Sequence, residues 1–486
     1  MSALYLSSTD GRVAVRGDAR YRLANTQTYS EWHWNGERLT VANCPLGMHP
    51  LFWRELPHGV AVATSPTELL EPPVQLDYPA LAVFVRLGWF IGNDTPFKGI
   101  TQLAPNSSLT WTAEEGVQLH IGERPSAAPL SIGRSAAMRA YAELFRQAIA
   151  RCQPVDERFF LPISGGRDSR HIALALHELG VRPVALGTLK HLPGRADEDV
   201  RVGKLLAEAL DVPHVVLEQP RFYVRNIERL LRDTALCADD GAQMYPLIDW
   251  LKSNAAVTFD GIAGDMMSTG VFQHGDLAQM FLRGDMDVAA RELFRRWKRS
   301  VHGWQYAVGR NMADALSEEV AHAHLVEELE RHRDNHNPSR AFFFWNRTRR
   351  EIALQPFSTY RGLRVETPFL DPDLWHFLES LPYDMVGNST FHTQTIQLAY
   401  PQFAHIPFEK ADAKRPATRA QRIMLGAELV ATLLRRNGIR AAPIVPRCAR
   451  LFAGVRIWWS PNMLLYMLAL MRVADGRPDR QVQPAA

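Results

Sequence analysis

Apolar positions change their period along the chain. Over residues 1–122 they fall in short alternating bursts broken by turn residues, as in VRGDARYRL and NSSLTWTAEEGVQLHIG, a pattern that predicts short strands with few long helices. Residues 123–135, ERPSAAPLSIGRS, hold two prolines and no apolar period and predict a linker. From Ala136 to Ala150 the run AAMRAYAELFRQAIA repeats at helical spacing. Strand-length and helical runs then alternate: Phe159 to Ile163, then Ile172, Ala175, Leu176 and Leu179 up to Gly180, then Val181 to Leu189, the helical VGKLLAEALDVP, Val215 to Leu217, and a further strand from Val257. Such alternation predicts a parallel sheet covered by helices on both faces, a doubly wound α/β domain over residues 136–420, with ligands beyond the carboxyl ends of its strands.

Residues 271–340 are charged and helical in pattern, as in AARELFRRWKRS, and read as solvated helices. Residues 421–486 are rich in arginine, contain Trp458-Trp459, and predict a basic helical extension packed on the preceding domain, with Gly476 to Ala486 disordered. A docking surface for a peptide or partner protein is the alternative for this tail.

With 486 residues the chain exceeds one compact core. Lys plus Arg number 55 against 52 Asp plus Glu, a net charge of +3, which gives no basis for nucleic acid or a membrane as partner. Cys44, Cys152, Cys237 and Cys448 lie far apart without a CxxC pair, so a zinc site or disulfide framework is not expected and a reducing compartment is. The start MSALYLSSTDGR has no signal-peptide pattern, and the apolar run Met463 to Met471 is too short to span a bilayer. A cytoplasmic protein is the expectation.

The chemistry concentrates in Ser164-Gly165-Gly166-Arg167-Asp168-Ser169, between the strand at 159–163 and the following helix. Glycines let a backbone approach an anion, and a helix start offers unpaired N–H groups and a favourable dipole. Ser164 and Ser169 add hydroxyl donors, and Asp168 is a hard oxygen ligand suited to Mg²⁺ on phosphate oxygens. The hexapeptide lacks the Gly-Lys-Ser/Thr ending of a Walker loop and the GxGxxG of a dinucleotide fold. It resembles the SGGxDS pyrophosphate loop of ATP pyrophosphatases, enzymes that split ATP into AMP and pyrophosphate while activating a carboxylate as an adenylate.

Further stretches resemble asparagine synthetase. Gly47, Pro50-Leu51, Ser65 with Glu68-Leu69-Leu70, Thr95, Phe97, Gly99-Ile100 and Leu103-Ala104-Pro105 follow the order of its glutaminase-type, Ntn-type N-terminal domain. The family's nucleophilic N-terminal cysteine has no counterpart: the chain begins Met1-Ser2-Ala3 and its first cysteine is Cys44. A degenerate glutaminase-like domain over 1–122 is therefore expected, Ser2 being at most a weaker nucleophile.

The segment VTFDGIAGDMMSTG is similar to the family's second signature, which places Asp265 beside Asp168 as a ligand of Mg²⁺ and pyrophosphate. The two glutamates of that signature are Ile262 and Met266 here, and an apolar side chain takes no proton. Thr367-Pro368-Phe369-Leu370-Asp371-Pro372 looks like a third block, with Arg364 and Glu366 in exchanged positions that could keep an ion pair. Upstream, Arg347, Arg349 and Arg350 read mostly as surface groups, and Glu351 is a candidate base. By the same resemblance Lys410, with Lys414 in reserve, is the lysine that stabilises the transition state, and Gly187 ends the strand that would hold adenine. Asp197-Glu198 could serve the site, or simply cap a helix.

The resemblance, spanning most of residues 40–415, implies an asparagine-synthetase-like ligase using ATP and Mg²⁺ without glutaminase chemistry. Related enzymes include β-lactam synthetases and the macrolactam cyclases of lasso peptides. It implies closure of a macrolactam on a precursor peptide in antibiotic biosynthesis, with a leader-peptide-binding protein and a peptidase as partners. The alternatives are a small-molecule carboxylate substrate cyclised as by a β-lactam synthetase, or ammonia-dependent asparagine synthesis.

Overall fold

The computed structural model describes residues 2–9, 12–154, 158–190, 197–219, 223–270, 275–297, 304–306, 308–387, 390–409, 418–437, 446, 450 and 460–476. It is a mixed α/β molecule.

The N-terminal strands are β1 (Ala3–Thr9), β2 (Arg12–Gly17), β3 (Arg20–Ala24), β4 (Tyr29–Trp34), β5 (Leu39–Asn43), β6 (Phe52–Leu56), β7 (Gly59–Ala63), β8 (Thr101–Gln102), β9 (Ser107–Thr112) and β10 (Gly116–Ile121). They form two antiparallel five-stranded sheets, ordered β2-β1-β7-β6-β8 and β10-β9-β5-β4-β3. Period-two alternation sends Leu4 and Leu6 of β1, Trp32 and Trp34 of β4, and Leu109 and Trp111 of β9 into one interior, where Trp34 and Trp111 lie 5.8 Å apart. β7 is buried on both faces: Val60 and Val62 join that interior, while Ala61 and Ala63 pack toward helix α1 (Tyr78–Leu87). Asp77 caps α1 by accepting from the Ala80 N–H, and Gly88 ends it in the left-handed region at φ 89°.

Residues 123–133 form no helix or strand; they meet the second half through Arg124, 3.8 Å from Glu328 Oε1 and over the Trp345 ring, and through the Leu130 N–H, which donates to the Ser380 carbonyl at 2.8 Å. Helix α2 (Arg134–Cys152) follows, then β11 (Leu161–Pro162), α3 (Asp168–Glu178), β12 (Leu186–Lys190), α4 (Glu198–Ala209), β13 (His214–Glu218), β14 (Val257–Phe259) and β15 (Arg364–Glu366). β11, β12 and β13 are parallel, as are β14 and β15. A parallel bridge from Phe159 to Val257, with Thr258 Oγ1 donating to the Phe160 carbonyl at 2.9 Å, joins the two into the order β15-β14-β11-β12-β13. Strand order reverses between β11 and β14, so the ends of these two strands flank the crevice where open α/β sheets bind ligands.

The helices of residues 275–330 are not simply solvated. Leu277, Phe281, Leu293, Leu325 and Leu329 are buried in the same apolar cluster as α1 and the parallel sheet. The helix Pro461–Ala474 buries Tyr466, which stacks on Phe84 of α1 at 4.4 Å, so it packs against the N-terminal half as well. Trp458-Trp459 lie outside the described residues. Among the described residues no helix is long and apolar enough to cross a membrane.

The expected surface arginines are the clearest departure. Residues Phe343–Ile352 form a π-helix, and on it Arg349 and Arg350 are fully buried. Arg349 donates to the carbonyls of Gly47 (3.2 Å), Gly92 (3.0 Å) and Leu103 (2.8 Å); Arg350 donates to Gln102 Oε1 and the Asp94 carbonyl. Five N–H donors in a rigid fork suit arginine to capping loop carbonyls that meet no strand partner. These two side chains tie the halves together. The exchanged pair of the third block is formed, with Arg364 Nε 3.1 Å from Glu366 Oε1.

Candidate active site

β11 delivers its chain into the Ser164 to Arg167 turn, and α3 begins at Asp168. The turn is internally bonded: Ser164 N–H donates to Ser169 Oγ (3.1 Å), Gly166 N–H to Ser164 Oγ (3.2 Å) and Gly165 N–H to Asp199 Oδ1 (2.7 Å). Asp199 belongs to the first turn of α4; Glu198 instead pairs with Arg201 at 2.8 Å, so the acid reaching the loop is the one after the expected pair. Gly165 is required by close approach, since a Cβ there would lie 2.7 Å from Glu409 Cβ.

β14 leads through Asp260 and Gly261 into the short helix Gly264–Ser268, which carries Asp265. The backbone N–H of Asp265 donates to Asp168 Oδ2 at 3.1 Å, bringing the two acids together. Asp168 is wedged against this loop, and a Cβ on Gly264 would fall 2.5 Å from its Cγ. Oδ1 of Asp168 and Oδ1 of Asp265 are both buried without a hydrogen-bond partner. Burial, then the charge of Asp265, raises the Asp168 carboxyl well above the usual carboxylate range; burial also raises Asp265. Two hard oxygen donors that resist ionising side by side are what a Mg²⁺ ion would relieve, so the residues fit that metal.

Sequence reading did not find His392. Its ring lies on the helix Phe391–Ala399, and its Nδ1 is 3.5 Å from Asp168 Oδ1 and 2.9 Å from Ser268 Oγ. Its Nε2 meets His171 Nδ1 at 3.0 Å. Asp168, Asp265 and His392 offer ligand atoms within 4.8 Å of one another. Burial holds His392 well below its ordinary value, and both ring nitrogens already have partners, so it buttresses Asp168 as a neutral group.

A cavity of about 350 Å³ opens at the two acids, lined also by Asp260, Ile262, Arg347 and Thr348. Asp260, likewise missed, is half-buried and pushed up to about 6 by loss of solvent, and its Oδ1 accepts from the Ile262 N–H at 2.8 Å. Glu351 does not line the cavity itself; its Oε2 lies 3.1 Å from Nε of Arg347, which does. Gly187 sits within β12 and its α-carbon is covered by Trp250, whose ring leaves no room for a Cβ. Lys410 and Lys414 fall outside the described residues; Glu409 just before them donates its N–H to the Gly165 carbonyl at 2.9 Å.

Residues 140–390, a little over half of the chain, match the family model described as asparagine synthase. No curated protein matches the chain. Among solved structures it is similar to the U34-tRNA thiolase NcsA from Methanococcus maripaludis with its [4Fe-4S] cluster, at 10% identity over 68% of this chain and 86% of that one, with a TM-score of 0.26. It is also similar to the allosteric regulatory enzyme of purine biosynthesis (13% identity, 43% of this chain, TM-score 0.14) and to the glutamine phosphoribosylpyrophosphate amidotransferase from B. subtilis complexed with ADP and GMP (12%, 42%, TM-score 0.14). The matched part spans 48%, about half, of each of those two chains.

Proposed function

The chain belongs to the asparagine synthase family, and from that premise we propose that it is an ATP-dependent, AMP-forming ligase that closes a macrolactam ring between a carboxylate and an amine of one peptide. The observation that carries this reading is the pair of unpartnered oxygens, Asp168 Oδ1 and Asp265 Oδ1, at the ends of two parallel strands. Asp168 and Asp265 would hold Mg²⁺, which when bound neutralises charge on the triphosphate. The N–H groups of Ser164, Gly165 and Gly166 would turn from Ser169, Asp199 and Ser164 to the phosphates that leave as pyrophosphate.

A substrate carboxylate oxygen attacks the α-phosphorus, pyrophosphate departs, and an amine then displaces AMP from the acyl carbon. Glu351, held by Arg347 beside the cavity, accepts the proton that the amine loses, and Lys410 stabilises the tetrahedral species. Ile262 and Met266 line the cavity with apolar atoms, which disfavours free ammonia as nucleophile and favours an amine carried by the substrate itself. Tethering both groups in one molecule supplies roughly 7–11 kcal/mol in well-oriented cases.

Incubating the protein with ATP, Mg²⁺ and a panel of peptides bearing a free amine and an acidic side chain tests this by mass spectrometry. Loss of one water from a peptide, matched by equimolar AMP and pyrophosphate, is the expected result. AMP formation with a small amino-carboxylate alone, or with aspartate and ammonia alone, would replace it with a β-lactam-forming or asparagine-forming reaction.

A further inference from the structure

Two arginines stand at the start of α3, and the fold uses them differently. Arg170 is 2% exposed and spends Nη1 and Nη2 on the carbonyls of Ile406 (2.9 Å) and Pro407 (2.6 Å). It is a strut between the helix and the loop that precedes Glu409. Arg167, the residue before the helix, is half-buried and hydrogen-bonds through Nε, to Thr393 Oγ1 at 2.7 Å. Among the described residues its Nη1 and Nη2 meet neither an acceptor nor a carboxylate.

That placement is unfavourable for the protein on its own. A helix start carries partial positive charge, and a cation there is disfavoured. Arg170 adds a like charge from the same helix, and both guanidinium groups lie over the one ring of Phe408, at 5.7 Å and 3.9 Å. The side chain is nevertheless fixed. Thr393 adjoins His392, whose Nδ1 is 3.5 Å from Asp168 Oδ1, so the guanidinium is anchored beside the acid pair. Its charge opposes the burial that raises both Asp168 and Asp265.

A planar fork with its terminal N–H groups uncommitted suits an anion with two or more oxygens. An anion that reaches this fork also faces two carboxylates, so it must bring a cation of its own. A magnesium-bound polyphosphate does so, and a simple carboxylate does not. The SGGxDS pattern leaves this position open, and Gly165 and Gly166 stand immediately before it. We propose that Arg167 is a ligand of the departing pyrophosphate, its Nη groups donating to phosphate oxygens of the Mg²⁺-bound anion. The assignment rests on the ligase reading above for the identity of the reaction; the binding is measurable without it.

Calorimetric titration of the full chain with pyrophosphate in the presence of Mg²⁺, and separately with AMP, tests this. Arg167→Met is expected to weaken pyrophosphate binding by at least about tenfold while AMP binding is unchanged. Thermal unfolding checks that the variant folds. Thr393→Val, which frees the guanidinium without removing its charge, serves in its place if it does not, with an expected weakening of about twofold to fivefold. No pyrophosphate binding by the wild type, an unchanged affinity in the folded variant, or an equal loss for AMP would overturn the proposal. If pyrophosphate binding depends on Arg167 while no peptide yields AMP, the ligase reading fails and the residue keeps its role; if peptides lose water and pyrophosphate affinity ignores Arg167, the reverse holds.

Discussion

Between the two N-terminal sheets the interior is built from Leu4, Leu6, Trp32, Trp34, Leu109 and Trp111, whereas the ends of β11 and β14 gather Asp168, Asp260, Asp265, His171 and His392 in buried or half-buried positions. The first region pairs its backbone within antiparallel sheets and alternates apolar with polar side chains, so each strand satisfies itself locally. The second presents loop ends and helix starts whose N–H groups and carboxylates are only partly matched by other protein atoms. The comparison teaches where this molecule stores stability and where it forgoes stability for chemistry: the crevice holds acids that burial pushes away from ionising, a cost that the apolar interior elsewhere offsets.

Breaking the second region should cost chemistry and not the fold. Asp168→Asn should lower pyrophosphate release by at least about 10²–10³-fold, the scale of losing one preorganised electrostatic group, while leaving the melting temperature equal or higher. The seam should behave oppositely. Arg349→Met leaves the carbonyls of Gly47, Gly92 and Leu103 without their donor and should destabilise by about 3 kcal/mol in a denaturant titration.

The crevice acids give a signed pH effect. Asp260 titrates at about 6 in the folded chain against an ordinary 3.8, so the folded state binds its proton more tightly and the wild type loses stability as pH rises through that window. Asp260→Asn, free of that penalty, should be more stable by about 2–3 kcal/mol above pH 7, with the difference shrinking toward zero as pH falls to about 4. At the small end, glutamine should change nothing: Cys44 is 2% exposed, and ammonia or glutamate appearing from glutamine would show a working thiol in the N-terminal half.

Local chemistry was legible in the sequence, and long-range chemistry only where a family resemblance supplied it, as for Asp168 and Asp265. Ser164 to Ser169, followed by apolar residues at helical spacing, announced a turn opening a helix, and the structure starts α3 at Asp168. The alternation in β4 and β9 likewise announced strands with one inward face. Arg349 and Arg350 misled because arginine is ordinarily solvated, and the loop carbonyls they serve lie more than 240 positions away in the chain. His392 carried no signal, since a single histidine on a helix has many uses and its partners Asp168, His171 and Ser268 come from other segments. The π-helix of Phe343–Ile352 widens each turn, a period that neither a helical nor a strand template detects.

The arginine pair and the stacking of Tyr466 on Phe84 bear on how the protein can be handled in the laboratory. A shortened gene starting at Arg134 would yield a polypeptide with two guanidinium groups stripped of their oxygen cradle and a final helix missing the aromatic ring beneath it. The second half accordingly depends for its packing on residues that precede Arg134, and grafting residues 134–476 alone into another scaffold would carry their motifs without the support that shapes them.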